Sequence, residues 1–171
     1  RKDADGDGVP DYDFYGCYFA DAGNTFGNRN DLSRNTIIYG HNMHNVTTGD
    51  KERLKFGALF KFVDFNNDGT IFGDDVESAN DFSFAQEHPV IYFSTTDDEM
   101  VWVIYAAYFT DLGFQYHLEN PDDATFSAMI QEAKDRSRLD YDVDVNTSDR
   151  ILTLSTCAYK YADSVEKRDL R

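Results

Sequence analysis

The chain has 171 residues, enough for one domain with a real hydrophobic core. Its 16 Lys+Arg against 32 Asp+Glu leave a formal charge of −16, which excludes a nucleic-acid partner and suits a cationic partner or bound metal ions. Aromatic residues, at 15 %, are too many for a disordered acidic chain, and no stretch approaches the ~20 apolar residues of a membrane span.

In chain order, the first feature is "DADGDGVPD", with Asp3, Asp5, Asp7 and Asp11 and a glycine, Gly8, at the sixth position. This pattern resembles the acidic loops of thrombospondin type 3 repeats, and two readings stay open for it: a Ca2+ loop or a solvated acidic turn. An apolar strand is predicted over 36–39 and a short helix over 51–62. Next comes "DFNNDGTIFGDD", 64–75, where Asp64, Asn66, Asp68 and Asp75 occupy positions 1, 3, 5 and 12 of an EF-hand-type loop. Thr70 offers its carbonyl at position 7 and Gly69 permits the tight turn. A hard cation needs six to eight oxygens, and alternate residues of such a turn supply them. Asp at position 12 makes the loop similar to the dockerin version; the other reading is a solvated Asn/Asp/Gly turn.

A second short helix is predicted over 81–86, ahead of His88-Pro89, and strands over 90–93 and 101–108. "MVWVIYAAYF" is the longest apolar run and is predicted to be a central strand. The helix over 122–136 has the clearest pattern, because Phe126, Met129, Ile130 and Ala133 recur at i, i+3, i+4 and i+7 behind the capping residues Asp122, Asp123 and Thr125. A last strand is predicted over 151–154. Strands outnumber helices without βαβ alternation, so the expected class is mainly β: a mainly antiparallel barrel or sandwich with accessory helices, forming a single domain over 1–171.

Two strands end in reactive side chains. "ILTLSTC" delivers Cys157 and "NTIIYGHN" delivers His41, with Gly40 allowing the chain to turn the imidazole off the sheet edge. Taken singly, Cys157 is either a small buried hydrophobe or a nucleophile. A nucleophile needs a base or cation to favour thiolate and donors for an oxyanion. Two strand ends far apart in sequence can meet at one barrel rim. His44 reads as a surface neighbour, His88 and His117 as structural or exposed, and Cys17 as a small buried residue. Two cysteines do not make a disulfide framework.

"NTIIYGHNM", "LKFGALFKF", "EHPVIYF" and "ILTLSTC", in that order and with arginines downstream, resemble the class B sortases. That resemblance implies a closed eight-stranded β-barrel with a long late helix. It also implies a Cys-His-Arg cysteine transpeptidase on the extracytoplasmic face of a Gram-positive cell membrane, anchored there in the full-length protein. Such an enzyme cleaves an NPxTN- or LPxTG-like sorting signal and passes the acyl group to a peptidoglycan or pilin amine. By the same resemblance the site residues are Cys157, His41 and Arg171, with Arg168 as the fallback, and Ser155 and Thr156 line the approach for substrate. The chemistry needs no cofactor; Ca2+ would be structural or regulatory. The family's first strands and the strand that should carry the arginine fall outside these residues, so the chain is expected to be part of a longer domain, with 64–75 as an insertion. Two free thiols are expected, since a Cys17–Cys157 bridge would block the nucleophile. The other open readings are a non-enzymatic extracellular calcium-binding or adhesion module and a hydrolytic cysteine peptidase.

Overall fold

The computed structural model describes residues 16–44, 53–63, 82–111 and 113–157. Both acidic loops, over 3–11 and 64–75, and the two arginines, Arg168 and Arg171, lie outside the described residues.

The described strands are short: β1 (Phe19–Ala20), β2 (Asn35–Tyr39), β3 (Asn42–His44), β4 (Arg53–Lys55), β5 (Val90–Tyr92), β6 (Val101–Val103) and β7 (Ile151–Ser155). A 3₁₀ helix spans Phe56–Phe62, and two α-helices follow, α1 (Ser83–Glu87) and α2 (Asp123–Arg136). The strands form three sheets, ordered β1-β2-β7, β3-β4 and β5-β6. Among the described residues these sheets do not close into an eight-stranded ring.

Most pairs are antiparallel, as expected; β2 and β7 run parallel, with Asn35 opposite Ile151 and Tyr39 opposite Ser155. Parallel neighbours require a long crossover, and here everything between the two strands supplies it. One expectation needs correction: the run over 101–108 is not one central strand. Only Val101–Val103 pairs, with β5, and Val101 and Val103 lie exposed. An apolar run states that burial is available; which residues find a ladder partner depends on the rest of the fold.

The segment expected as a helix over 51–62 splits instead. Lys55 ends β4 with φ 54, a left-handed conformation that breaks the strand, and Phe56–Phe62 then winds as a 3₁₀ helix burying Gly57 and Phe60. The second short helix begins at Ser83 rather than at residue 81, and its C-terminal neighbour His88 donates its backbone N–H to Phe84 O.

Helix α2 forms where its periodicity placed it. The Asp122 side chain accepts from Thr125 N at 2.8 Å, and that bond holds its carboxyl below the usual carboxylate range. Phe126, Met129, Ile130 and Ala133 are buried. Phe126 and Ile130 pack on Ile151, the first residue of β7, with Tyr105 and Val145 at the margin. Arg34, just ahead of β2, reaches the same place: its guanidinium lies 4.5 Å from the Phe126 ring centroid and donates to Pro121 O and Thr147 O. The long helix thereby anchors the starts of both parallel strands, whose far ends carry the reactive residues. An apolar cavity of about 520 Å3 lies between the 3₁₀ helix, the 101–110 segment and β7, and reaches Ser155 and Thr156.

Candidate active site

The parallel register fixes the geometry at the strand ends. Tyr39 stands opposite Ser155, and the ladder makes one more bond, from Gly40 N to Ser155 O at 3.1 Å. His41 comes two residues after Tyr39 and Cys157 two residues after Ser155, the last pair of the ladder, so both lie just beyond it. Beyond the last ladder bond, side chains take over the cross-links. Thr156 Oγ1 donates to Gly40 O at 2.7 Å, and Asn42 Nδ2 donates to Cys157 O at 3.1 Å. The Cys157 thiol is free and half-buried, and His41 is exposed.

The imidazole lies close to the Gly16 backbone. Gly16 has φ +61, and a Cβ there would sit 2.8 Å from His41 Cδ2 and 2.9 Å from Nε2. Lys55 Nζ donates to Gly16 O at 3.4 Å and lies 5.2 Å from the Tyr18 ring centroid, so one ammonium braces both residues. On the strand side, Phe56 N donates to His41 O at 3.1 Å. Gly40 is buried between two rings: a Cβ there would lie 2.7 Å from Phe56 and 2.8 Å from Tyr18, whose ring centroids are 4.7 Å apart. Glycine at 40 thus serves packing.

Ser155 is buried, and its hydroxyl hydrogen-bonds the Tyr116 hydroxyl at 2.9 Å. Thr156 is half-buried and committed to Gly40 O. Behind them lies a polar network with no sequence motif. Asn35 is fully buried; its Nδ2 donates to Tyr116 O and Leu118 O, and its Oδ1 accepts from Thr153 Oγ1 at 2.6 Å. The network ties β2, β7 and the 116–119 segment together beneath the site. Burial pushes the nearby Tyr105 phenol up to about 12 and raises Tyr108 as well, so both stay neutral donors.

Cys17 corrects another expectation. It is an exposed free thiol and not a buried one, lying just ahead of the short edge strand β1, whose Phe19 is exposed as well. His88 stacks on Phe84, with ring centroids 4.1 Å apart, and its Nδ1 lies 2.8 Å from Phe84 O; His117 meets Tyr116 edge-on. The side chain of His44 lies outside the described residues. Among the described residues no group of three or more His, Cys, Asp or Glu side chains could hold a metal ion. No helix among them is long and apolar enough to cross a membrane.

No family model matches this chain, in which a parallel strand pair followed two residues on by His41 and Cys157 is backed by a long helix; individual proteins do match it. Sortase B of Listeria monocytogenes is 33% identical over 127 residues, 74% of this chain and 42% of that protein. The solved sortase B from Listeria monocytogenes is 30% identical over 86% of this chain and 70% of that one, with a TM-score of 0.64. A sortase B crystallised in complex with triglycine superposes with a TM-score of 0.68 at 25% identity, covering 95% of this chain and 62% of that one. The fold is that of the sortases. Within them, the chain belongs to the class B family. It spans about half the length of the curated relatives it matches, 42% and 52% of theirs.

Proposed function

We propose that the chain carries the Cys-His half of a cysteine transpeptidase site that cuts a C-terminal sorting signal and transfers its acyl group to an amine. The observation that supports this reading is the parallel β2–β7 register, whose last pair, Tyr39 and Ser155, lies two residues before His41 and two before Cys157. Cys157 Sγ attacks the threonine carbonyl of an NPxTN- or LPxTG-like peptide. As the C–S bond forms and the peptide C–N bond breaks, His41 in its protonated form gives its proton to the departing amine. The thioester then meets an incoming amine from peptidoglycan or a pilin. Neutral His41 accepts that amine's proton, a new amide forms, and the Cys157 sulfur leaves.

Arg171, or Arg168 in its place, donates to substrate carbonyls or to the oxyanion; a fixed positive charge with a fork of donors suits that task. Ser155 and Thr156 shape the approach to the sulfur. The reading extends to a single catalytic domain over 1–171, interrupted by a Ca2+ loop at 64–75 whose support is its ligand spacing. It further places the full-length protein in the membrane of a Gram-positive cell, with the site outside. The relative crystallised with triglycine supports an oligoglycine-type amine as the acceptor.

The test is turnover of both peptide types with and without triglycine. A transpeptidase runs faster with added amine and yields the ligated product. Hydrolysis unaffected by amine identifies a peptidase instead, and no turnover beyond that of Cys157→Ala removes the enzymatic reading.

A further inference from the structure

Backbone pairing between β2 and β7 stops at the bond from Gly40 N to Ser155 O, before either reactive residue is reached. From that point the two chains are held by side chains. Thr156 Oγ1 donates to Gly40 O at 2.7 Å, and Asn42 Nδ2 donates to Cys157 O at 3.1 Å. The two bonds point in opposite directions across the gap: one starts from the cysteine's chain and ends on the histidine's, the other the reverse. They bracket the pair, one on the residue before each reactive group and one on the residue after His41 and on Cys157 itself. Only the amide nitrogen of Asn42 can donate to a carbonyl, so the carboxamide has a single usable orientation, and its Oδ1 is buried with no hydrogen-bond partner among the described residues.

From this geometry we infer that Asn42 and Thr156 are positioning residues, a two-bond side-chain latch that ties the Cys157 backbone to the chain on either side of His41, beyond the last ladder pair. The inference rests on the transpeptidase reading for its catalytic meaning and on the two bonds for its geometry. Phe56 N holds His41 O from the other side, but beyond Gly40 N–Ser155 O the latch supplies the hydrogen bonds that the described residues show between the histidine's chain and the cysteine's. Misplacement of reacting groups by about 1 Å costs up to roughly 100-fold in rate, whereas substrate contacts made elsewhere are untouched. The signature is therefore a fall in kcat with KM preserved.

The experiment compares wild type with Thr156→Val, Thr156→Ser, Asn42→Ala and Asn42→Asp in peptide turnover with triglycine. Val matches Thr in shape and lacks the donor, while Ser keeps it. Asp matches Asn in shape and turns an oxygen toward the Cys157 carbonyl. Thr156→Val, Asn42→Ala and Asn42→Asp are expected to lose roughly 10- to 100-fold in kcat with KM within about twofold. Thr156→Ser is expected to stay within about threefold of wild type. Wild-type rates in Thr156→Val and Asn42→Ala, or equal losses in Thr156→Ser and Thr156→Val, would overturn the latch.

A second measurement stands apart from catalysis and from the folding of any variant. In the wild-type protein, NMR should show slowly exchanging Asn42 carboxamide protons with a cross-peak to Cys157 Hα. A fast-exchanging carboxamide without that cross-peak overturns the inference. If wild type turns over neither peptide, the transpeptidase reading fails while this measurement still decides the latch.

Discussion

Gly16 satisfies two demands together. Its φ of +61 is costly for any residue with a Cβ, and the space a Cβ would fill is taken by the His41 ring. Gly16→Ala is expected to push the imidazole off its seat and lower kcat by at least about tenfold, because proton transfer depends on placement. Peptide turnover measured beside a thermal melt checks this; an unchanged kcat in a folded variant contradicts it. Asn35 plays a structural part at the same scale. Asn35→Ala removes a donor from Tyr116 O and Leu118 O and an acceptor from Thr153, leaving buried polar groups unpaired. A loss of about 2–4 kcal/mol in denaturant unfolding is expected, since each unsatisfied buried group costs about 1–3 kcal/mol. His41 and Cys157 could be singled out in the sequence because their chemistry resides in their own side chains. Asn35, Asn42, Tyr116 and Gly16 could not. Their roles exist only through partners brought in by the fold, as Asn42 meets Cys157 across 115 residues of chain.

At the scale of elements, local pattern and long-range pairing separate cleanly. Helix α2 was legible because both its cap and its apolar stripe are written within the segment itself. Its Phe126 is wholly buried against Ile130 and Ile151, so Phe126→Ala is expected to cost about 3–5 kcal/mol in equilibrium unfolding. The parallel partnership of β2 and β7 was not legible, since alternation of apolar residues carries no record of strand direction. The 101–108 run failed for the same reason: its apolar residues exceed its ladder partners. A further link between elements is the pair Arg29–Asp98, which ties the turn ahead of β2 to the β5–β6 hairpin through bonds of 2.7 and 2.9 Å. Hydrogen bonds from Arg29 hold the Asp98 carboxyl down at about 2. Its folded pKa thus lies below the unfolded value of about 3.9, so its contribution is complete above roughly pH 4 and is lost as pH falls through about 2. Asp98→Asn is expected to flatten the fall in melting temperature across that window. An acid profile unchanged by the substitution would show that the pair adds nothing.

For the molecule as a whole, the sortase fold was legible from four ordered motifs, although composition and periodicity alone reached only a mainly β class. Motifs succeed where periodicity does not because they mark the points at which chain direction, turn chemistry and reactive groups coincide. The closed barrel is a different kind of property. It belongs to strands pairing across the full circumference, and the seven described strands form three sheets. The strong negative charge, −16, also acts at this scale, and two acidic loops concentrate part of it. If the 64–75 loop takes Ca2+, millimolar calcium raises the melting temperature of the wild-type chain, and Asp64→Ala with Asp68→Ala abolishes the rise. A melting temperature indifferent to calcium and to chelator removes that site.

The pairing of Cys157 with His41 is tested most directly by trapping the acyl-enzyme. The full-length protein is incubated with an NPxTN-type or LPxTG-type peptide and no amine, then quenched in acid and mapped by mass spectrometry. A thioester adduct confined to Cys157, absent in Cys157→Ala and strongly reduced in His41→Ala, is the expected result. Intact peptide and an unmodified Cys157 with both peptide types would contradict it.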